Sequence, residues 1–115
     1  MAWELRYTVA GGPMQTASAE LVDFNRLEPG SVVDVETKSR HYRIECLGGT
    51  SVRISGHPRL CPHPVAAQLE GSINGKGLLD AGLIECGARL LFVVEDRMPI
   101  TTSKVLHVHC ESKRC

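Results

Sequence analysis

The sequence predicts an all-β fold, a small antiparallel barrel or rolled sandwich of six to seven short strands with at most one short helix. Three observations carry that prediction. Apolar and polar residues alternate with a period of two along most of the chain; turn signals built on glycine and proline recur about every 8 to 12 residues; and 115 residues suffice for one domain but not two.

Taken in order, Trp3, Leu5, Tyr7 and Val9 fall on one face and Glu4, Arg6 and Thr8 on the other, which predicts a half-buried strand over 2–9, ended by Gly11-Gly12-Pro13. Ser18 as an N-cap, with Leu21, Phe24 and Leu27 three apart, predicts the one short helix over 18–27, before the Pro29-Gly30 turn. A meander follows. Val33 and Val35 alternate with Asp34 and Glu36, then Tyr42, Ile44 and Cys46 with His41, Arg43 and Glu45, then Val52 and Ile54 with Ser51, Arg53 and Ser55. Gly48-Gly49 supplies a two-residue hairpin between the last two.

Val65, Ala67 and Leu69 predict another strand, and Asn74-Gly75 another hairpin. Gly77, Gly82 and Gly87 stand five apart, an odd period that flips a strand's faces, so they read as turns or bulges. Residues 89–95 are apolar on both faces and predict a central strand. Residues 105–110 close the sheet, Leu106, Val108 and Cys110 facing one way and His107 and His109 the other. One domain over 1–110 and a frayed tail over 111–115 complete the expectation.

Thirteen Lys and Arg balance thirteen Asp and Glu, which argues against a partner bound through overall basicity, whether DNA or a membrane surface. No long apolar run predicts a membrane span. The odd count of five cysteines at irregular spacing, with no secretory pattern at residues 1–4, points to reduced thiols in the cytoplasm. Charge is nevertheless uneven: residues 1–37 carry a balance of −4 and residues 38–63 a balance of +4.

The stretch Glu28-Pro-Gly-Ser-Val-Val-Asp-Val-Glu-Thr37, the loop His57-Pro-Arg-Leu-Cys-Pro62 and the segment Ile100-Thr-Thr-Ser-Lys-Val105 are similar to short uncharacterised bacterial proteins built as all-β domains. The resemblance covers residues 28–108; it implies a cytosolic bacterial β-domain and brings no active site.

Reactive side chains are densest at His57-Pro-Arg-Leu-Cys61-Pro-His63-Pro64. His57, Cys61 and His63 are zinc-ligand types in a proline-stiffened loop, and a fourth ligand would come from His107 or His109, which share a strand face, or from Cys86 or Cys110. Zinc is the only cofactor these residues suggest; the plainer reading is a connecting loop and a polar outer face. Cys61 beside His57 or His63 would serve a small cysteine- or metal-dependent enzyme, but no third orienting residue and no oxyanion motif accompanies them, so no catalytic residue is assigned. The segment Gly71–Gly77 fails as a phosphate loop, having three residues between Gly71 and Gly75 where four are needed.

His41, Arg43 and Arg53, outward on a paired hairpin, are the candidate anion-binding residues. The few aromatics fall on core positions, which argues against nucleic acid. The expected function is a non-enzymatic binding or interaction module for a protein or small anionic ligand, with a zinc-containing β-domain as the alternative. Strand 2–9, at the sheet edge, is the expected contact of a homodimer.

Overall fold

Period-two alternation becomes strand wherever one face can be buried, and the computed structural model, which describes residues 15–59, 61–94 and 98–112, forms ten strands from it. These are β1 (Gln15–Ala19), β2 (Leu21–Asp23), β3 (Val32–Thr37), β4 (His41–Gly48), β5 (Ser51–Ser55), β6 (Val65–Ile73), β7 (Leu79–Ala81), β8 (Leu83–Glu85), β9 (Arg89–Val93) and β10 (Ile100–Ser112). The predicted strand 2–9 lies outside the described residues, as does any dimer contact through it.

The predicted meander is β3, β4 and β5, in register Val33↔Ile44 and Ile44↔Ile54. It continues to β6, and β9 pairs with both β6 and β10 while β10 pairs with β3, so six antiparallel strands close into a barrel. Closure pairs both edges of β9, the central strand expected there, and its burial alternates: Leu90 and Phe92 are fully buried, Leu91 and Val93 half-buried. Beyond the barrel, β1 lies along the second half of β10, and β7 lies along the end of β6.

The interior is the set of residues the alternation points inward. Val33, Val35, Ile44, Val52, Ile54, Leu69, Leu90 and Phe92 are fully buried, and the Phe92 ring meets Tyr42 edge-on, centroids 5.8 Å apart. Each such aliphatic or aromatic side chain contributes about 1.5–3 kcal/mol of transfer free energy, an upper bound set by an extended unfolded chain.

The short helix expected over 18–27 is absent. Residues 15–19 and 21–23 are strand, and only Phe24–Arg26 make a single 3-10 turn, capped by Asp23 Oδ1, which accepts from Asn25 N at 3.1 Å. Leu21 is 54% exposed while Val22 and Phe24 are buried, so the three-residue spacing of leucines was not one face. Pairing of β2 with β8 supplies the backbone partners a helix would have made internally, and Val22, Phe24 and Ile84 join the core.

Buried hydroxyls repair the ladder where strands part. Thr102 Oγ1 accepts from Leu90 N at 3.0 Å where the β9–β10 register slips. Ser72 Oγ donates to Leu83 O at 2.8 Å and accepts from Glu85 N at 3.1 Å, linking β6 to β8.

Three further expectations are corrected. Leu106 does not face inward with Val108 and Cys110: a bulge between Val105 and His107 sets two residues of β10 against one of β3, so Leu106 and His107 both point out. The β4–β5 hairpin turns at Gly49-Thr50, because Gly48 stays in β4 at a second register shift. The supposed tail is partly strand, since Glu111 pairs with Thr16 and Val32 and Ser112 with Gln15. Residues 113–115 lie outside the described residues.

Candidate functional site

The proline loop that follows β5 folds back on itself. Gly56, at φ +125°, lies against the backbone of His41 and Tyr42, and its N–H donates to Cys61 O at 2.9 Å while Cys61 N donates to His57 O at 3.0 Å. A Cβ at position 56 would strike the His41 carbonyl, so the close approach of this loop to β4 requires glycine.

That folding separates the predicted zinc ligands. Cys61 turns into the core and is fully buried, whereas His63 is exposed and His57 half-buried. His107 and His109 lie on the outer face of β10, with β3 and β4 between them and β5. Among the described residues, no group of three or more His, Cys, Asp or Glu side chains is placed to hold one metal ion.

Burial acts against thiolate formation at three of the cysteines. Burial pushes Cys46 up to about 11, with the Glu45 charge adding to it, and burial also raises Cys61 and Cys86. Cys46, Cys61 and Cys86 are free thiols. A shallow depression of about 320 Å³ over β5 and β6, walled by Leu47, Val52, Ala66, Ala67 and Val93, has no titratable group in its lining.

The candidate anion-binding residues do share one outer face. The register places Arg43 opposite Asp34 and Arg53 opposite Glu45. Both arginines are therefore neutralised: Arg43 Nη1 is 3.7 Å from Asp34 Oδ1, and Arg53 Nη1 donates to Glu45 Oε1 at 3.1 Å. His41 stands opposite Glu36, which also faces His107 across β3 and β10. The sheet face thus alternates in sign from strand to strand, with no stripe of one charge.

Unbalanced positive charge sits instead at the turns of the adjoining barrel end. Thr37, buried at the end of β3, builds the first turn: its Oγ1 accepts from Ser39 N and Arg40 N and donates to Arg40 O. Lys38 N donates to Lys104 O at 3.0 Å, which seats Lys104 of β10 beside the turn. Arg40 reaches back to the Tyr42 hydroxyl, whose proton is nonetheless held more tightly than usual because burial outweighs the guanidinium. The second turn carries Arg59, whose N–H donates to His57 Nδ1 at 3.1 Å.

The His57 ring registers the resulting field. Partial burial, then the charges of Arg40 and Arg59, lower its pKa. Among the described residues, no carboxylate pairs with Lys38, Arg40, Arg59 or Lys104. Sequence reasoning located the +4 segment and took from it the strand residues His41, Arg43 and Arg53, of which both arginines have carboxylate partners. Strand arginines acquire cross-strand carboxylates from the same alternation that buries their neighbours, whereas turn residues have no cross-strand position opposite them.

Comparison of the chain with protein-family models, curated proteins and solved structures finds no match.

Proposed function

We propose that this barrel is a non-enzymatic binding module that recognises an anionic group at the end formed by Lys38, Arg40, Arg59 and Lys104. The observation that carries the reading is the contrast within one charged segment: Arg43 and Arg53 are paired with carboxylates, while Lys38, Arg40 and Arg59 have no carboxylate partner among the described residues. Like charges held together on two adjacent turns repel one another, and a bound anion relieves that repulsion. Raised thiol pKa values and a depression without titratable groups support binding rather than chemistry. Free thiols fit the reducing cytoplasm. Among the described residues no helix is long and apolar enough to cross a membrane.

Retention on an immobilised polyanion at low salt tests the reading. The Lys38→Ala/Arg40→Ala/Arg59→Ala variant is expected to elute at clearly lower salt than the parent, and the Arg43→Ala/Arg53→Ala variant close to it. Equal losses in both variants would show that the barrel end is not the binding surface.

A further inference from the structure

We propose that the group taken by this end of the barrel is a compact multivalent phosphoryl anion, a phosphate monoester or a diphosphate, clasped by Lys38 and Arg40 of the β3–β4 turn and Arg59 of the β5–β6 connection. The inference rests on the reading of that end as a binding site and adds the chemistry of the ligand.

Compactness follows from how the charge is distributed. Gly56 packs against the backbone of His41 and Tyr42, which sets the connection carrying Arg59 beside the turn carrying Arg40, and the Lys38–Lys104 backbone contact joins that turn to β10; the charges of both Arg40 and Arg59 act on His57, consistent with this placement. Moving away over the sheet, the Arg43–Asp34 and Arg53–Glu45 pairs cancel the field within two strands. A nucleic-acid backbone needs a positive track that follows successive phosphates, together with exposed aromatic rings for bases to stack on. Here the positive charge is a spot, and the aromatics among the described residues, Phe24, Tyr42 and Phe92, are buried.

Multivalence follows from the donors. The backbone N–H groups of Lys38, Ser39, Arg40 and Arg59 are already committed, to Lys104 O, Thr37 Oγ1 and His57 Nδ1. Recognition therefore falls to long cationic side chains, which read charge density and oxygen geometry. A single carboxylate, with one negative charge, leaves a cluster of at least three cations largely uncompensated. A phosphoryl group presents up to two charges and several oxygens, and each arginine fork can engage two of those oxygens.

Titration calorimetry of the full chain at low salt, against inorganic pyrophosphate, an otherwise neutral phosphoserine peptide, hexaglutamate and a short oligothymidylate, tests the proposal. Pyrophosphate or the phosphopeptide is expected to bind saturably, with the His57 ring signals moving in parallel NMR spectra. Arg40→Ala and Arg59→Ala should each weaken that binding about tenfold, and Arg43→Ala should leave it within about twofold. Tighter binding of pyrophosphate identifies a small phosphorylated ligand; tighter binding of the peptide identifies a phosphorylated chain. Hexaglutamate binding as tightly as the phosphoryl probes, with the same dependence on Arg40, would overturn the phosphoryl assignment and keep the binding site. Oligothymidylate binding best, with Arg43 and Arg53 as important as Arg40, would overturn the assignment in favour of a nucleic-acid track. Binding of none of the four would overturn both the assignment and the broader reading. Far-UV circular dichroism of each variant confirms the fold, and Arg40→Lys, which keeps the charge, separates loss of charge from loss of the fork.

Discussion

Arg53 donates to Glu45 Oε1 at 3.1 Å across the β4–β5 pair, so this arginine of the predicted binding face is occupied by its own neighbour. The same strand pairing that places Arg53 on the surface places its counter-charge beside it. An exposed pair of this kind contributes only about 0.2–1 kcal/mol to stability, but it removes a charge from recognition.

Releasing that charge should widen the site. The double variant Asp34→Asn/Glu45→Gln frees Arg43 and Arg53 and is expected to bind polyanions more tightly, with a steeper loss of affinity as salt rises. Affinity measured at several salt concentrations checks this; an unchanged salt slope would mean that the sheet face never contributes.

Thr37→Val keeps the shape of the side chain and removes the oxygen that serves Ser39 N, Arg40 N and Arg40 O. Leaving those groups without their partner should cost about 1–3 kcal/mol by urea unfolding. Anion affinity should fall as well, because the turn carrying Lys38 and Arg40 loses its brace.

Stability should fail in alkali. Burial raises Cys46 from an ordinary 9.0 to about 11, so the folded chain holds this proton more tightly than the unfolded one. Its contribution is complete below pH 9 and is lost as the pH rises through about 11, on the order of 2–3 kcal/mol. Cys61, Cys86 and Tyr42 are raised too and act in the same direction. Urea midpoints across this range should fall less steeply for Cys46→Val than for the parent.

Glu85 behaves in the opposite region of the scale. Partial burial, then the hydrogen bond and charge of Asp80, raise its pKa above 4.5. The stability it contributes is therefore present when it is protonated, below its unfolded value, and is lost as pH rises through the folded one. Glu85→Gln should be more stable than the parent at neutral pH, with the difference closing below pH 4.5.

Gly71, inside β6 and opposite Ala81 of β7, has φ +149°, and an added Cβ there would strike the Asp80 carbonyl. Gly71→Ala should cost about 1–3 kcal/mol or more. Gly75→Ala, in open space within the neighbouring loop, is the control and should change stability little. Equal midpoints for the two variants would show that β7 shifts without cost.

Local pattern determined much of the fold. The inward positions of β3, β4 and β5 were legible because a strand's side chains alternate whatever it pairs with, and the glycines at 77, 82 and 87 were legible as breaks because positive φ suits few other residues. The uneven charge of residues 38–63 was legible for the same reason, as composition along the chain. Pairing was not. The bulge that turns Leu106 outward depends on how β3 meets β10, and the replacement of an expected helix by β2 depends on β8, sixty or so residues further on. Which cations in that segment have carboxylate neighbours was decided by cross-strand register alone, because electrostatic energy depends on distance in space: register set Asp34 and Glu45 beside Arg43 and Arg53, and closure of the barrel brought Lys38, Arg40, Arg59 and Lys104 to one end.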